Sequence, residues 1–161
     1  MNIEIGGGHL VAEGWENIDP QHGTRPEFCV KVQEGIALPN NSVRTARASH
    51  VMEHIPPGDD TVKAMNEVYR VLMTGGTFEI IVPCVGYTDP ETHEPKYNGW
   101  QAWADPTHCK FYWYPESFWY MKRGGLAANA DYGLKLWDVN SMELRDNWEA
   151  HVVLSKPRQE D

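Results

Sequence analysis

Residues 59–83 read DDTVKAMNEVYRVLMTGGTFEIIVP, and this stretch decides the fold class. Val62, Met65, Tyr69 and Leu72 recur at three- and four-residue intervals, which predicts one helical face over Asp59–Leu72. The run PPGDD at its start supplies a breaker and a capping Asp, and Gly75-Gly76 supplies a stop. Thr77–Pro83 is apolar on both faces, as expected for a parallel strand covered on both sides, with Pro83 ending its pairing. Helix, double glycine and buried strand in that order make an α/β unit.

Upstream, residues 2–9 read NIEIGGGH: a short strand, Asn2–Ile5, followed by Gly6, Gly7 and Gly8. Glycine is entropically costly, so three in a row after a strand imply that something approaches the backbone closely. Trp15–Asp19 alternates apolar and polar residues and reads as a second strand. Six residues separate Gly8 from Trp15, too few for a full crossover helix, so a helix there is reduced to a turn or lost. Val43–His50 reads as a third strand.

Downstream, Cys84–Tyr114 is irregular and rich in Pro, Gly and aromatics, a long loop of the kind that is often functional. Pro115–Arg123 reads as a short helix with Gly124-Gly125 as its stop. Leu134–Arg145 and Trp148–Lys156 read as an antiparallel hairpin about Asp146-Asn147. No internal repeat is visible. The 161 residues suit one domain, with an aromatic-rich insertion over about 84–125.

Composition narrows the class. The net charge is −9 and no basic cluster is present, which argues against a nucleic-acid partner. Apolar runs fall far short of the roughly 20 residues that span a bilayer, so no membrane partner is expected. There is no secretory signal, and the odd set Cys29, Cys84 and Cys109 forms no CxxC pair, which together point to a reducing, cytoplasmic setting.

The ligand class follows from the glycines and the acid after them. A dinucleotide fingerprint requires a third glycine where this chain has Val11, so a pyrophosphate ligand is disfavoured. Asp19, at the end of the second strand, is placed to accept both hydroxyls of a ribose. A glycine turn and a ribose acceptor without a phosphate site fit an adenosine with a non-phosphate tail.

The ordered set IEIGGGH, GWENIDP, ALPNNSV, ASHVMEHIP, NEVYRVLMTGGTFEIIVP and DPTHCKFYWYPESF resembles the class I S-adenosylmethionine-dependent methyltransferases. It is most similar to small bacterial members with an HVLEH-like and a DPTH segment, over Met1 to about Tyr120. The resemblance implies a Rossmann-like α/β sheet, mostly parallel with a C-terminal antiparallel hairpin, and S-adenosyl-L-methionine as cofactor. It sets Gly6, Gly7 and Gly8 against the cofactor's amino-acid tail and ribose, with Glu4 positioning the turn or the ligand's ammonium. It gives Asp19 the ribose and places Ser49 and His50 beneath the sulfonium. Gln33, with Glu34 beside it, stands where an acid usually accepts the adenine amino group; an amide oxygen can do the same without charge. The family's usual helix before the first strand is lacking here. That leaves an expected bare apolar sheet face and, from it, an expected homo-oligomer such as a homodimer.

The resemblance implies methyl transfer to a small or medium acceptor. His50, His54 and His108 are the candidate general bases, with Asp105 able to orient His108. The alternative is a cofactor-binding but catalytically degenerate subunit that needs a partner. HVMEH (residues 50–54) also fits the inverted zinc-protease motif, which needs a helix through His50 and His54. An incoming strand, the nearby Pro56-Pro57 and the want of a third ligand argue against it, so no metal is expected. Seven aromatics among residues 111–120 form either a satellite core or oligomer contact, or a lid that excludes water and walls an acceptor.

Overall fold

The computed structural model describes residues 1–24, 26–124 and 132–158. Three short parallel strands build one side of the sheet: β1 (Asn2–Ile5), β2 (Glu16–Ile18) and β3 (Val43–Ser49). Helix α1 (Asp59–Val71) leads directly into β4 (Leu72–Thr88), the long central strand. Then follow β5 (Pro95–Tyr97), α2 (Trp100–Ala104), β6 (Tyr112–Tyr114), α3 (Glu116–Trp119), β7 (Asp138–Leu144) and β8 (Glu149–Ser155). The main strand order is β2-β1-β3-β4-β8-β7, parallel through β4 and antiparallel beyond it. Only turns join β1 to β2, as the short spacing between them requires. Among the described residues, no helix is long and apolar enough to cross a membrane.

The α1–β4 unit forms with three changes from the expected plan. The buried face of α1 is Thr61, Ala64, Met65, Val68 and Val71, one position off the predicted stripe at Val62, and Leu72 already belongs to β4. Gly58, in the left-handed region at φ 86°, stands at the helix start; Asp59 and Asp60 lie inside the first turn, where they complement the helix dipole. The helix ends because Leu72 turns to extended backbone, not at the glycines. Gly75, at φ 75°, lies in a bulge where the register jumps from Val43↔Leu72 to Thr45↔Thr77.

Pro83 does not end the strand either. It lies opposite Glu149, and past it β4 leaves β8 and takes β6 and β5 as partners, Cys84 opposite Tyr112 and Tyr87 opposite Lys96. A proline cannot donate to a ladder, so this is a natural place to change partners. The insertion expected to be irregular is therefore anchored on the far half of β4. Its helix α3 is shorter than the predicted Pro115–Arg123, because the backbone of Met121 and Arg123 pairs with Trp137 instead. Of the expected Gly124-Gly125 stop, Gly125 lies outside the described residues.

The two faces of the sheet differ. Ile3, Ile5, Ala46, Ala48, Phe78, Ile80, Val152 and Leu154 are buried in one core with the apolar side of α1. The opposite face is mostly polar, with Ile81 and Val153 half-buried among charged and polar residues, which modifies both the strand expected to be apolar on each side and the expected bare apolar surface. Glu4 on β1 bonds Arg47 on β3 (2.7 Å), and Glu79 on β4 meets His151 on β8 (2.6 Å). Arg47 and Glu79 are cross-strand neighbours, so charges alternate along this row. The apolar patch from which a homodimer was expected is thus absent from this face.

Trp137 sits at 0% exposure at the core's edge, edge-on to Tyr69 at 5.1 Å and 6.0 Å from Phe78. Trp137→Ala is expected to cost about 3–5 kcal/mol. Urea unfolding followed by circular dichroism would show this as a fall in midpoint at nearly constant slope.

Candidate functional site

The sheet reverses direction at β1, with β2 on one side and β3 on the other, so their carboxyl ends form a crevice at a topological switch point. The glycine turn occupies this point. Gly6 N–H donates to the Ile18 carbonyl (2.8 Å), Gly7 N–H to Asn17 Oδ1 (3.2 Å) and Gly8 N–H to Asp19 Oδ2 (3.1 Å). Asn17 Nδ2 returns a bond to the Gly8 carbonyl at 3.2 Å. All three glycine amides are thus bound to β2 or to Asp19 just past its end, which leaves no nest of free N–H groups for a phosphate.

Close packing explains the glycines at two positions. A Cβ on Gly6 would lie 2.5 Å from Val51 Cγ2, and one on Gly7 2.7 Å from both Glu4 Cγ and Val11 Cγ2. A Cβ on Gly8 would meet nothing within 4 Å, so this glycine opens to the exterior. The turn faces a cleft of about 330 Å³, within the size range of small-molecule sites, walled by Ile5, Ile18, Val32, Val51 and Ile55. Gln33 and His54 also line it.

The structure places each candidate residue as follows. Asp19 is buried, and its two oxygens accept the Gly8 and Gln21 amides (3.1 and 2.8 Å). Its sequence neighbours Ile18 and Pro20 line the cleft. Glu4 is buried beneath Gly7, but its carboxylate is engaged by Arg47 rather than by the turn. Gln33 is half-buried at the cleft. Ser49 ends β3, and His50 follows it at φ 55°, with Nε2 3.1 Å from Glu149. Glu53, and then Glu149, raise the His50 pKa above the ordinary histidine range, which favours its protonated form.

The helix that a zinc-protease motif needs is absent: β3 runs into His50, and Met52–His54 is a single 3₁₀ turn. Instead this turn meets the DPTH segment. Cys109 and Lys110 amides both donate to the Glu53 carbonyl (2.9 and 3.0 Å), and the His54 and His108 rings lie edge-to-face at 4.8 Å. His50, His54 and His108 thereby gather around Glu53, although Asp105 is only 3.7 Å from His108 and bonds Thr107 more closely. Asn17 was not singled out in the sequence; its place in the apolar–polar alternation of WENID was the available signal.

Part of the aromatic segment takes the satellite-core role: Tyr112 and Phe118 are buried and stacked at 5.5 Å, whereas Phe111, Trp119 and Tyr120 are exposed, as are Trp100 and Trp103 upstream. A second cleft of about 450 Å³ opens between α1 and the insertion, lined by Thr61, Val62, Lys110 and Trp113 among others. Burial lowers the Lys110 pKa.

No protein-family model and no curated protein matches the chain by sequence. Solved structures do. A Methanosarcina mazei S-adenosylmethionine-dependent methyltransferase aligns with TM-score 0.63 at 13% identity, over 98% of this chain and 92% of its own. A Thermotoga maritima methyltransferase, described as a possible histamine N-methyltransferase, gives 0.62 at 13%, over 96% and 81%. A chain from the complex between the Haloferax volcanii Trm112 methyltransferase activator and a candidate methyltransferase gives 0.60 at 15%, over 98% and 82%. The protein has the fold of S-adenosylmethionine-dependent methyltransferases, a mixed sheet of 8 strands with an antiparallel C-terminal part.

The packing at the turn gives a direct comparison. Gly7→Ala forces a Cβ into Glu4 and Val11 and is expected to destabilise by about 1–3 kcal/mol. Gly8→Ala meets open space, so its cost is confined to left-handed backbone, about 1–2 kcal/mol at most. Thermal unfolding of both variants should rank Gly7→Ala as the less stable.

Proposed function

We propose that this chain binds S-adenosyl-L-methionine in the crevice at Gly6–Gly8 and catalyses methyl transfer to a small or medium acceptor. One observation carries this most strongly: a glycine turn whose amides are all consumed internally opens onto an apolar cleft at the sheet's switch point. That combination suits a nucleoside without phosphates. Each Asp19 oxygen accepts one backbone amide and retains acceptor capacity for a ribose hydroxyl. Ile18, Val32 and Val51 offer apolar surface to a purine, with the Gln33 side chain available to its amino group. Gly8 lines a separate cleft of about 280 Å³ with His9, Val11 and Trp15, on the other side of the turn from the space at Gly6 that would hold the nucleoside.

When bound, the sulfonium supplies an activated methyl group and a neutral sulfide leaving group. The chain's task is alignment and the exclusion of water. His54, shared between the cleft wall and the DPTH segment, marks where an acceptor would meet the donor. His54 and His108 hold their Nδ1 atoms against Thr107 and Ala102, so Nε2 is the atom with which each would take a proton from the acceptor. His50 is the poorer base of the three, since Glu53 and Glu149 favour its charged form.

A second reading, a cofactor-binding subunit that needs a partner for activity, is favoured by the exposed Trp100, Trp103 and Phe111. The Haloferax neighbour, from a complex with an activator protein, lends it further support.

Calorimetry of the purified chain with S-adenosyl-L-methionine, and separately with S-adenosyl-L-homocysteine, tests the cofactor. Micromolar binding of both is expected, weakened at least about tenfold in Asp19→Ala, as for the loss of roughly 1.4 kcal/mol or more of hydrogen bonding to a charged group. Gln33→Ala is expected to weaken binding only several-fold, as for one neutral hydrogen bond. Failure of a folded wild type to bind either compound would refute the assignment.

A further inference from the structure

Glu53 poses a problem that a methyl-donor site leaves unsolved. It is 0% exposed, and neither carboxylate oxygen has a hydrogen-bond partner among the described residues. His50 Nδ1 at 3.5 Å and His108 Nε2 at 4.0 Å approach Oε1 without hydrogen-bonding geometry. A buried carboxyl group without hydrogen bonds is a costly arrangement; His50, whose charged form Glu53 favours, is one group that could balance it from 3.5 Å, and a metal ion is another.

The two imidazoles beside it are oriented as ligands. Thr107 Oγ1 donates its proton to Asp105 Oδ1 (2.6 Å), so it can only accept from His54 Nδ1–H, 3.1 Å away; the Thr107 carbonyl, at 3.3 Å, accepts from the same atom. His108 Nδ1–H donates to the Ala102 carbonyl at 3.0 Å. Nδ1 is the donor in both rings, so each presents Nε2 as the ligand atom, the arrangement that fixes metal-binding histidines from behind. One ligand atom from each of Glu53, His54 and His108 lies within 4.8 Å of the others. Ligands about 2.1 Å from a common ion are themselves roughly 3–4 Å apart, so small side-chain rotations would close the set.

We propose that Glu53, His54 and His108 form a divalent transition-metal site, open on the side of the exposed His54, which also lines the cleft at Gly6. Two imidazoles and one carboxylate suit Zn²⁺, Mn²⁺ or Fe²⁺ rather than Ca²⁺, and three protein ligands leave positions for an exchangeable oxygen. The expectation of no metal rested on the strand running into His50, the nearby Pro56-Pro57 and the want of a third ligand after His50 and His54. The fold supplies a different trio, with His108 brought from 54 positions beyond His54. The metal site stands independently of the methyl-donor assignment. Its consequence for that assignment is an oxygen acceptor, a hydroxyl, phenol or carboxylate, held by the ion instead of by two separate bases.

The test is calorimetry on untagged protein, chelator-treated and desalted, titrated separately with ZnCl2 and MnCl2, with S-adenosyl-L-methionine titrated into the same preparation. One ion per chain is expected for at least one metal, weakened tenfold or more in His54→Ala and in His108→Ala. Glu53→Gln should do the same if circular dichroism shows it folded; the exposed His54 keeps the test sound if it does not. In the Co²⁺-loaded protein, visible absorption bands lost in His108→Ala would place the ion at this cluster. No stoichiometric binding by the folded wild type, or binding unchanged in both histidine variants, would overturn the proposal and leave Glu53 balanced by a charged His50. Cofactor binding without metal binding would sink the metal site alone, and the reverse would sink the methyl-donor assignment alone.

Discussion

Parallel pairing of β1 with both β2 and β3 is the constraint on which the rest depends. It brings three carboxyl ends side by side, and the chain must leave each of them by a different route. At β1 there is no space for side chains between Val51, Val11 and the β2 residues, so glycine follows. At β2 the alternation of a strand directs Asn17 and Asp19 back to the turn, where they hold its amides. The turn and the strand end are therefore one hydrogen-bonded unit, and the cleft beside it is preformed.

The same sheet manages its two faces by different means. On one side α1 and the aliphatic strand residues make a close-packed core. On the other, Glu4, Arg47 and Glu79 alternate in sign across neighbouring strands, and His151 on β8 hydrogen-bonds Glu79. A row of this kind tolerates water in a way an apolar face does not.

The proposed chemistry concentrates where the HVMEH turn meets the DPTH segment. The backbone clamps the two together through the Glu53 carbonyl, while the buried Glu53 carboxyl group sits among histidines with no hydrogen bond among the described residues. Sites of this type, with a buried carboxyl group and pre-oriented imidazoles next to a ligand cleft, combine structural cost with chemical potential. The aromatic insertion follows from the same geometry, since β4 must run beyond Pro83 to carry that segment back to the crevice.

Local pattern alone determined much of this protein. Apolar periodicity marked α1, strand alternation marked β1, β2, β3 and the hairpin, and the glycines with Asp19 marked the crevice, because each depends on neighbours within a few positions. Val11, standing where a dinucleotide fingerprint needs glycine, was enough to disfavour pyrophosphate. Tertiary structure alone decided what depends on distant partners. Whether Gly75-Gly76 stopped a helix or bulged a strand depended on β3, and whether Pro83 ended β4 depended on β6 waiting beyond it. The polarity of the second sheet face could not be read from TFEIIVP, because Glu79 is one residue there and becomes part of a charge row only across three other strands. The grouping of Glu53, His54 and His108 was equally invisible, since sequence spacing records ligands on one helix but not those that two loops bring together.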